Sequence, residues 1–173
     1  MFFRVPNDYP LTYSLVQQKE MPNDTEFTDI SVVPADGRLV AIDPGTKRIG
    51  VAVSDEMRIT ARPLPIIQRG SWKKLLSEIK LILAQFDAAA LIIGLPLNSD
   101  GSESEMSLEA RRLARNFAKS LAIPVVLQDE RVTTYEARGR LWRSGADAAE
   151  ISRTLDSEAA VIILSDMIDR LND

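Results

Sequence analysis

The stretch VAIDPGTKRIGVAVSD, Val40 to Asp55, decides how the chain is read: two apolar runs flank a Pro-Gly turn, and an acid closes the first run. RLVAID from Arg38 and RIGVAVSD from Arg48 have the length and apolar content of strands, and PGTK has the length and glycine of a hairpin loop. A strand that enters a core excludes a carboxylate unless the acid is paired or binds something. Asp43 therefore needs a partner.

Working outward, ITARPLPII is a third strand whose Pro63 and Pro65 fit only an edge position. SWKKLLSEIKLILAQF places Trp72, Leu75, Leu76, Ile79, Ile82, Leu83 and Phe86 on one helical face. AALIIGLPL is a short apolar run of the kind buried on both faces of a sheet. SESEMSLEARRLARNFAKSL is a second amphipathic helix, with Ser102 and Glu105 at capping-box spacing and Met106, Ala110, Leu113, Phe117 and Leu121 as its apolar stripe. VVLQDE after Pro124 is another strand, and a helical region runs from about Thr134 to a break at Ser144-Gly145. DSEAAVIILSDMIDRL is a last helix, apolar nearly all round in its middle and so expected deep against the sheet, with Asp156 at its start. The order βββαβαβαα predicts an α/β domain over 38–173. Its mixed five-stranded sheet is an antiparallel meander followed by parallel strands, with helices on both faces. Residues 1–37, with Pro6, Pro10, Pro22 and Pro34 and no periodicity, read as a flexible N-terminal extension.

Composition narrows the chemistry. The 173 residues include neither cysteine nor histidine, which removes thiol nucleophiles, disulfides, Cys/His zinc sites and the commonest general base. Hydrolysis would have to run on carboxylates, lysine, hydroxyls or a metal held by oxygen. The net charge of −4 resides wholly in residues 1–37, so the domain is neutral and its charge neither favours nor opposes a polyanion. No apolar run is long enough to span a membrane, and prolines interrupt the N-terminus before a signal-like core develops, so a cytoplasmic protein without membrane contact is expected.

Asp43 ends the first strand, Asp129 and Glu130 end the last, and Asp156 begins the last helix. If first and last strands are parallel neighbours, their carboxyl ends meet where open α/β sheets place ligands, and Asp156 joins them if the last helix crosses behind that edge. Clustered carboxylates repel, whereas one or two Mg2+ or Mn2+ ions bind such oxygens well. Ions so held can activate water and stabilise an in-line displacement at phosphorus. Plainer roles compete at each position. Asp43 suits a turn, and Asp156 suits a helix cap, an ambiguity that Ser157 shares. Gly45 permits a tight backbone path, and Lys47 is either solvated or a phosphate contact. Asn98 is a turn former, or a contact to a nucleic-acid backbone beside a helix N-terminus. Arg131 is a surface ion-pair partner, a holder of a carboxylate ligand or a phosphate contact. Arg111, Arg112, Arg115 and Lys119 make an ordinary solvated face, while Arg138, Arg140 and Arg143 around Trp142 suit single-stranded or branched nucleic acid, unless Trp142 is packed in the core.

AIDPGTKRIGVAVSD, IIGLPLNSDGSES, QDERVTTYEAR and DSEAAVIIL together resemble the YqgF/RuvX family of Holliday junction resolvase-like proteins and pre-16S rRNA nucleases, in order and spacing over 38–171. The resemblance implies a ribonuclease H-like fold and a metal-dependent endonuclease. Its acidic catalytic and metal ligands would be Asp43, one acid of the Asp129-Glu130-Arg131 triplet, and Asp156. The wider ribonuclease H-like pattern has an acid at the end of the fourth strand, where this chain has Gly94. Alternation along a strand lets only one acid of the triplet face the metal, and Glu130 is the expected one. Gly45, Lys47, Asn98, Arg131 and Ser157 would meet the substrate. That substrate would be structured nucleic acid, precursor rRNA ahead of branched DNA, with ribosomal particles as partners and a monomer or homodimer as the working form. Two other classes compete. IDPGTKRIGVAV also resembles the phosphate-binding hairpin of actin-like and sugar kinases, but 173 residues cannot form their two lobes. A non-catalytic nucleic-acid or ribosome-assembly module is the other.

Overall fold

A computed structural model describes residues 26–129 and 148–173. Its five-stranded sheet runs β3-β2-β1-β4-β5. The meander β1 (Arg38–Pro44), β2 (Arg48–Ser54) and β3 (Ala61–Gln68) is antiparallel, as its short connections require. β4 (Ala88–Leu95) and β5 (Val125–Asp129) add parallel strands on the other side of β1, each reached through a helical crossover. Among the described residues the α-helices are α1 (Trp72–Phe86), α2 (Glu105–Ser120) and α3 (Ala148–Asn172). This is the expected mixed sheet with helices on both faces, a ribonuclease H-like arrangement. Among the described residues, no helix is long and apolar enough to cross a membrane.

Strand alternation divides the core in two. Val40, Ile42, Val51, Ile93 and Leu127 pack with Leu75 and Ile79 of α1 and Leu113 and Phe117 of α2. Leu39, Ala41, Ala52, Ile92 and Val126 pack under Ala160, Ile163, Leu164 and Met167 of α3. β3 is an edge strand, where Pro63 and Pro65 remove no needed ladder bond. α1 is capped by Ser71, whose side chain accepts from the Lys74 N–H, and it stops at Asp87 in the left-handed conformation.

Four expectations are corrected. The cap of α2 is Ser104, paired reciprocally with Ser107, while Ser102 is drawn into the preceding loop by Asn98 and Asp100. α3 begins at Ala148, so Asp156 lies two turns inside the helix and has no capping role to explain it. The condition that the first and last strands be parallel neighbours is not met, because β4 lies between β1 and β5. Finally, Phe27 and Val33 are buried in the core, so part of the 1–37 extension is packed structure. The helical region expected from Thr134, with Arg138, Arg140, Trp142 and Arg143, lies outside the described residues.

The β2–β3 turn carries a titration that can be checked. The Thr60 hydroxyl donates to the Asp55 carboxylate at 2.5 Å, and the Thr60 and Ile59 N–H groups add to it. These bonds, the hydroxyl first, hold the Asp55 pKa down to about 2 from 3.8. A depressed carboxyl stabilises the fold above its unfolded pKa, near pH 4, and that contribution disappears as pH falls through about 2. Thr60→Val is expected to raise the Asp55 pKa toward its ordinary value, as read by carboxyl-carbon NMR titration.

Candidate active site

The carboxyl end of β1 lies between β2 and β4. Ile42 lies beside Ile93 of β4, and Ile93 beside Leu127 of β5. One residue further, Asp43 faces Gly50 of β2, and Gly94 of β4 pairs with Gln128 of β5. This row continues the alternation of Ala52, Ala41, Ile92 and Val126, so it belongs to the face covered by α3. The half-buried carboxylate of Asp43 thus stands between two strand positions that carry no side chain. Gln128 closes the row, buried, with its Oε1 accepting from Nη1 of Arg170 in α3 at 2.5 Å.

α3 approaches this end of the sheet through its N-terminal half. The buried Ser157 hydroxyl donates to the Leu64 carbonyl of β3 at 3.2 Å. Leu64 pairs with Val51, and Val51 with Ile42, so position 157 is fastened at the strand level just before Asp43. The backbone of Asp156 comes to the same end of the sheet, while its side chain lies outside the described residues.

The other expected site residues fall as follows. Lys47 and Asn98 are exposed, on the β1–β2 hairpin and on the loop after β4. Asn98 is tied down by its Nδ2, which donates to the Ser102 hydroxyl at 2.9 Å. Asp129 takes the face of Leu127, away from Asp43. Glu130 and Arg131 lie outside the described residues. Among the described residues, no three acids are grouped to hold a metal; of the expected trio, only the Asp43 side chain is among them. Because β4 intervenes, an acid on β5 lies about 10 Å from β1, two interstrand spacings away. Gly94 leaves the space between them unfilled by a side chain.

Gly45 makes the turn. Its N–H donates to the Asp43 carbonyl at 3.0 Å, and a Cβ there would collide with the Arg48 carbonyl oxygen. Backbone cannot yield as a flexible side chain would. Gly45→Ala is therefore expected to displace the hairpin and lower the melting temperature by several degrees in calorimetry, a cost of about 1–3 kcal/mol.

The sequence reading did not single out Gly50, Gln128 or Arg170. A glycine inside the strand RIGVAV is the usual mark of a close approach and was the available signal for Gly50. Gln128 and Arg170 meet only through tertiary packing.

The chain is matched from residue 37 to 170 by the family model described as RuvX: Holliday junction resolvase. A relative from Anaeromyxobacter sp. (strain Fw109-5), named "Putative pre-16S rRNA nuclease", is 38% identical over 132 residues, 76% of this chain and 96% of that protein. A relative of the same name from Klebsiella pneumoniae (strain 342) is 39% identical over 128 residues, covering 74% of this chain and 93% of its own length. Among solved structures, Thermus thermophilus RuvC in complex with a Holliday junction substrate is similar at a TM-score of 0.45 and 14% identity, over 78% of this chain and 95% of that one. With the family model matching residues 37–170, well over half of its length, the chain belongs to the RuvX family.

Proposed function

We propose that the protein is a divalent-metal-dependent endonuclease acting on structured nucleic acid, and that its substrate is the 5′ end of precursor 16S rRNA. The observation that carries this is the row Gly50, Asp43, Gly94: a half-buried acid with side-chain-free positions on both flanks, at the end of the sheet where ligands gather. Asp43, Glu130 and Asp156 would hold one or two Mg2+ or Mn2+ ions. The donor set fits them, because this chain without histidine or cysteine offers only hard oxygen ligands. Bound there, the metal would activate water and stabilise charge at the phosphorus.

The chain's own groups would do the rest. Lys47, exposed on the hairpin, supplies positive charge to a substrate phosphate. Asn98 carries two amide hydrogens, one engaged by Ser102, and the second can meet the nucleic-acid backbone. Arg131 belongs to the same substrate set, as does Ser157, whose hydroxyl already fixes α3 to β3. The rRNA substrate is favoured by the names of the curated relatives, and ribosomal precursor particles are the partner this implies. A second reading, resolution of branched DNA, is favoured by the description of the family model.

The test uses labelled precursor 16S 5′ region, naked and within a precursor particle, and a four-way DNA junction, each with Mg2+, Mn2+ or EDTA. Cutting of the RNA that EDTA stops is the expected result. Cutting confined to the junction would replace the first reading with the second. Binding without any cutting would replace both with a non-catalytic module.

A further inference from the structure

We infer that Arg69 and Glu109 form a positioning pair that fixes the Asp43 hairpin onto α2. The inference rests on the nuclease reading for its kinetic consequence, though not for its structural one. Arg69 follows the last residue of β3 and grips the hairpin at two points. Its backbone N–H donates to the Lys47 carbonyl at 3.0 Å, and its Nη1 donates to the Gly45 carbonyl at 2.8 Å. Its Nη2 makes an ion pair with Glu109 of α2. Both side chains are about four-fifths buried, with 21% and 19% exposure, so the pair is shielded from the screening that weakens surface pairs. Arg112 donates to both oxygens of Glu109, at 2.7 and 2.8 Å, and so orients the carboxylate toward Arg69.

The same helix fastens the neighbouring strand. The Ser104 and Ser107 hydroxyls at the start of α2 both donate to the Pro96 carbonyl, just beyond β4, at 3.2 and 2.5 Å. The hairpin after Asp43 and the chain just beyond β4 are thus both tied to α2, the hairpin through the Arg69 side chain in addition to its backbone ladder with β3. A group misplaced by about 1 Å costs on the order of a hundredfold in rate. Lysine cannot replace Arg69, since one ammonium lacks the planar fork that reaches the Gly45 carbonyl and Glu109 together.

The test compares wild type with Arg69→Lys, Glu109→Gln and the double variant, and uses Lys74→Gln on the exposed face of α1 as control. Amide exchange is read by NMR without substrate. Exchange at Gly45 and Arg69 is expected to quicken about tenfold in both single variants, while core amides such as Ile42 and Leu91 keep wild-type rates. With substrate, kcat is expected to fall about 10- to 100-fold and KM to change less than threefold. The double variant should be no worse than the more damaged single one, since the two residues act as a unit. Lys74→Gln should match wild type throughout. Wild-type hairpin exchange in both single variants would overturn the inference. So would wild-type kcat in a cleaving protein, or losses in the double variant that simply multiply. If the wild type cuts nothing, the nuclease reading fails while the exchange measurement still decides the pair.

Discussion

Asp43→Asn is expected to remove metal-dependent cleavage, by about a thousandfold or more, and to leave the melting temperature unchanged or slightly raised. Asparagine has the shape of aspartate but neither its charge nor its second oxygen acceptor, so an ion at this position loses a ligand and meets an N–H donor. On the proposed reading several kcal/mol of charge stabilisation at phosphorus would depend on that ion, and about 4 kcal/mol corresponds to three powers of ten in rate. Folding should survive, because Asp43 is the penultimate residue of a strand whose register is set by its buried neighbours Val40 and Ile42. A neutral amide is also easier to bury than a carboxylate. Single-turnover cleavage with saturating Mg2+, beside a calorimetric scan of the same preparation, separates the two effects. Activity within tenfold of wild type would dismiss Asp43 as a ligand and the site with it.

Phe27→Ala should cost about 3 kcal/mol, although Phe27 lies ten residues before the family match begins. For a chain of this size that lowers the melting temperature by about 10 °C. Phe27 is 4% exposed and packs in the core shared by α1 and α2, on a short 3-10 turn over Glu26–Thr28 that rests on β5. Val33, only six residues later, is buried in the other core, beneath α3. The segment therefore passes from one side of the sheet to the other at its β5 edge, where an uncovered strand would offer unpaired N–H and C=O groups to another chain. Calorimetry measures the loss, and sedimentation shows whether the variant also begins to associate. A shift below about 2 °C would mean that the segment merely lies on the domain.

Phe27 also shows where reading by pattern stops. A lone aromatic among prolines and acids has no period, so nothing local distinguishes a core residue from a tail residue. The α2 cap shows a related limit: Ser102 and Ser104 both precede the apolar stripe, and what separates them is that Asn98 and Asp100 hold Ser102 in the loop while Ser104 and Ser107 meet the Pro96 carbonyl. α3 starts two turns before its clearest sequence signal, because Asp156 looks like a cap when the preceding residues lack a clear stripe.

The sequence by itself determined the meander, the proline-marked edge, α1 and its stripe, and the suspicion attached to Asp43. Each of these follows from interactions among residues near in the chain, such as turn chemistry, alternation and the cost of a carboxylate in an apolar run. Tertiary structure alone decided that β4 separates β1 from β5, that Gly94 comes beside the acid, and that Arg69 and Glu109 hold its hairpin. Those contacts join residues from 34 to 51 positions apart, chosen when helices and strands compete for the same apolar surface, a competition that no local pattern records.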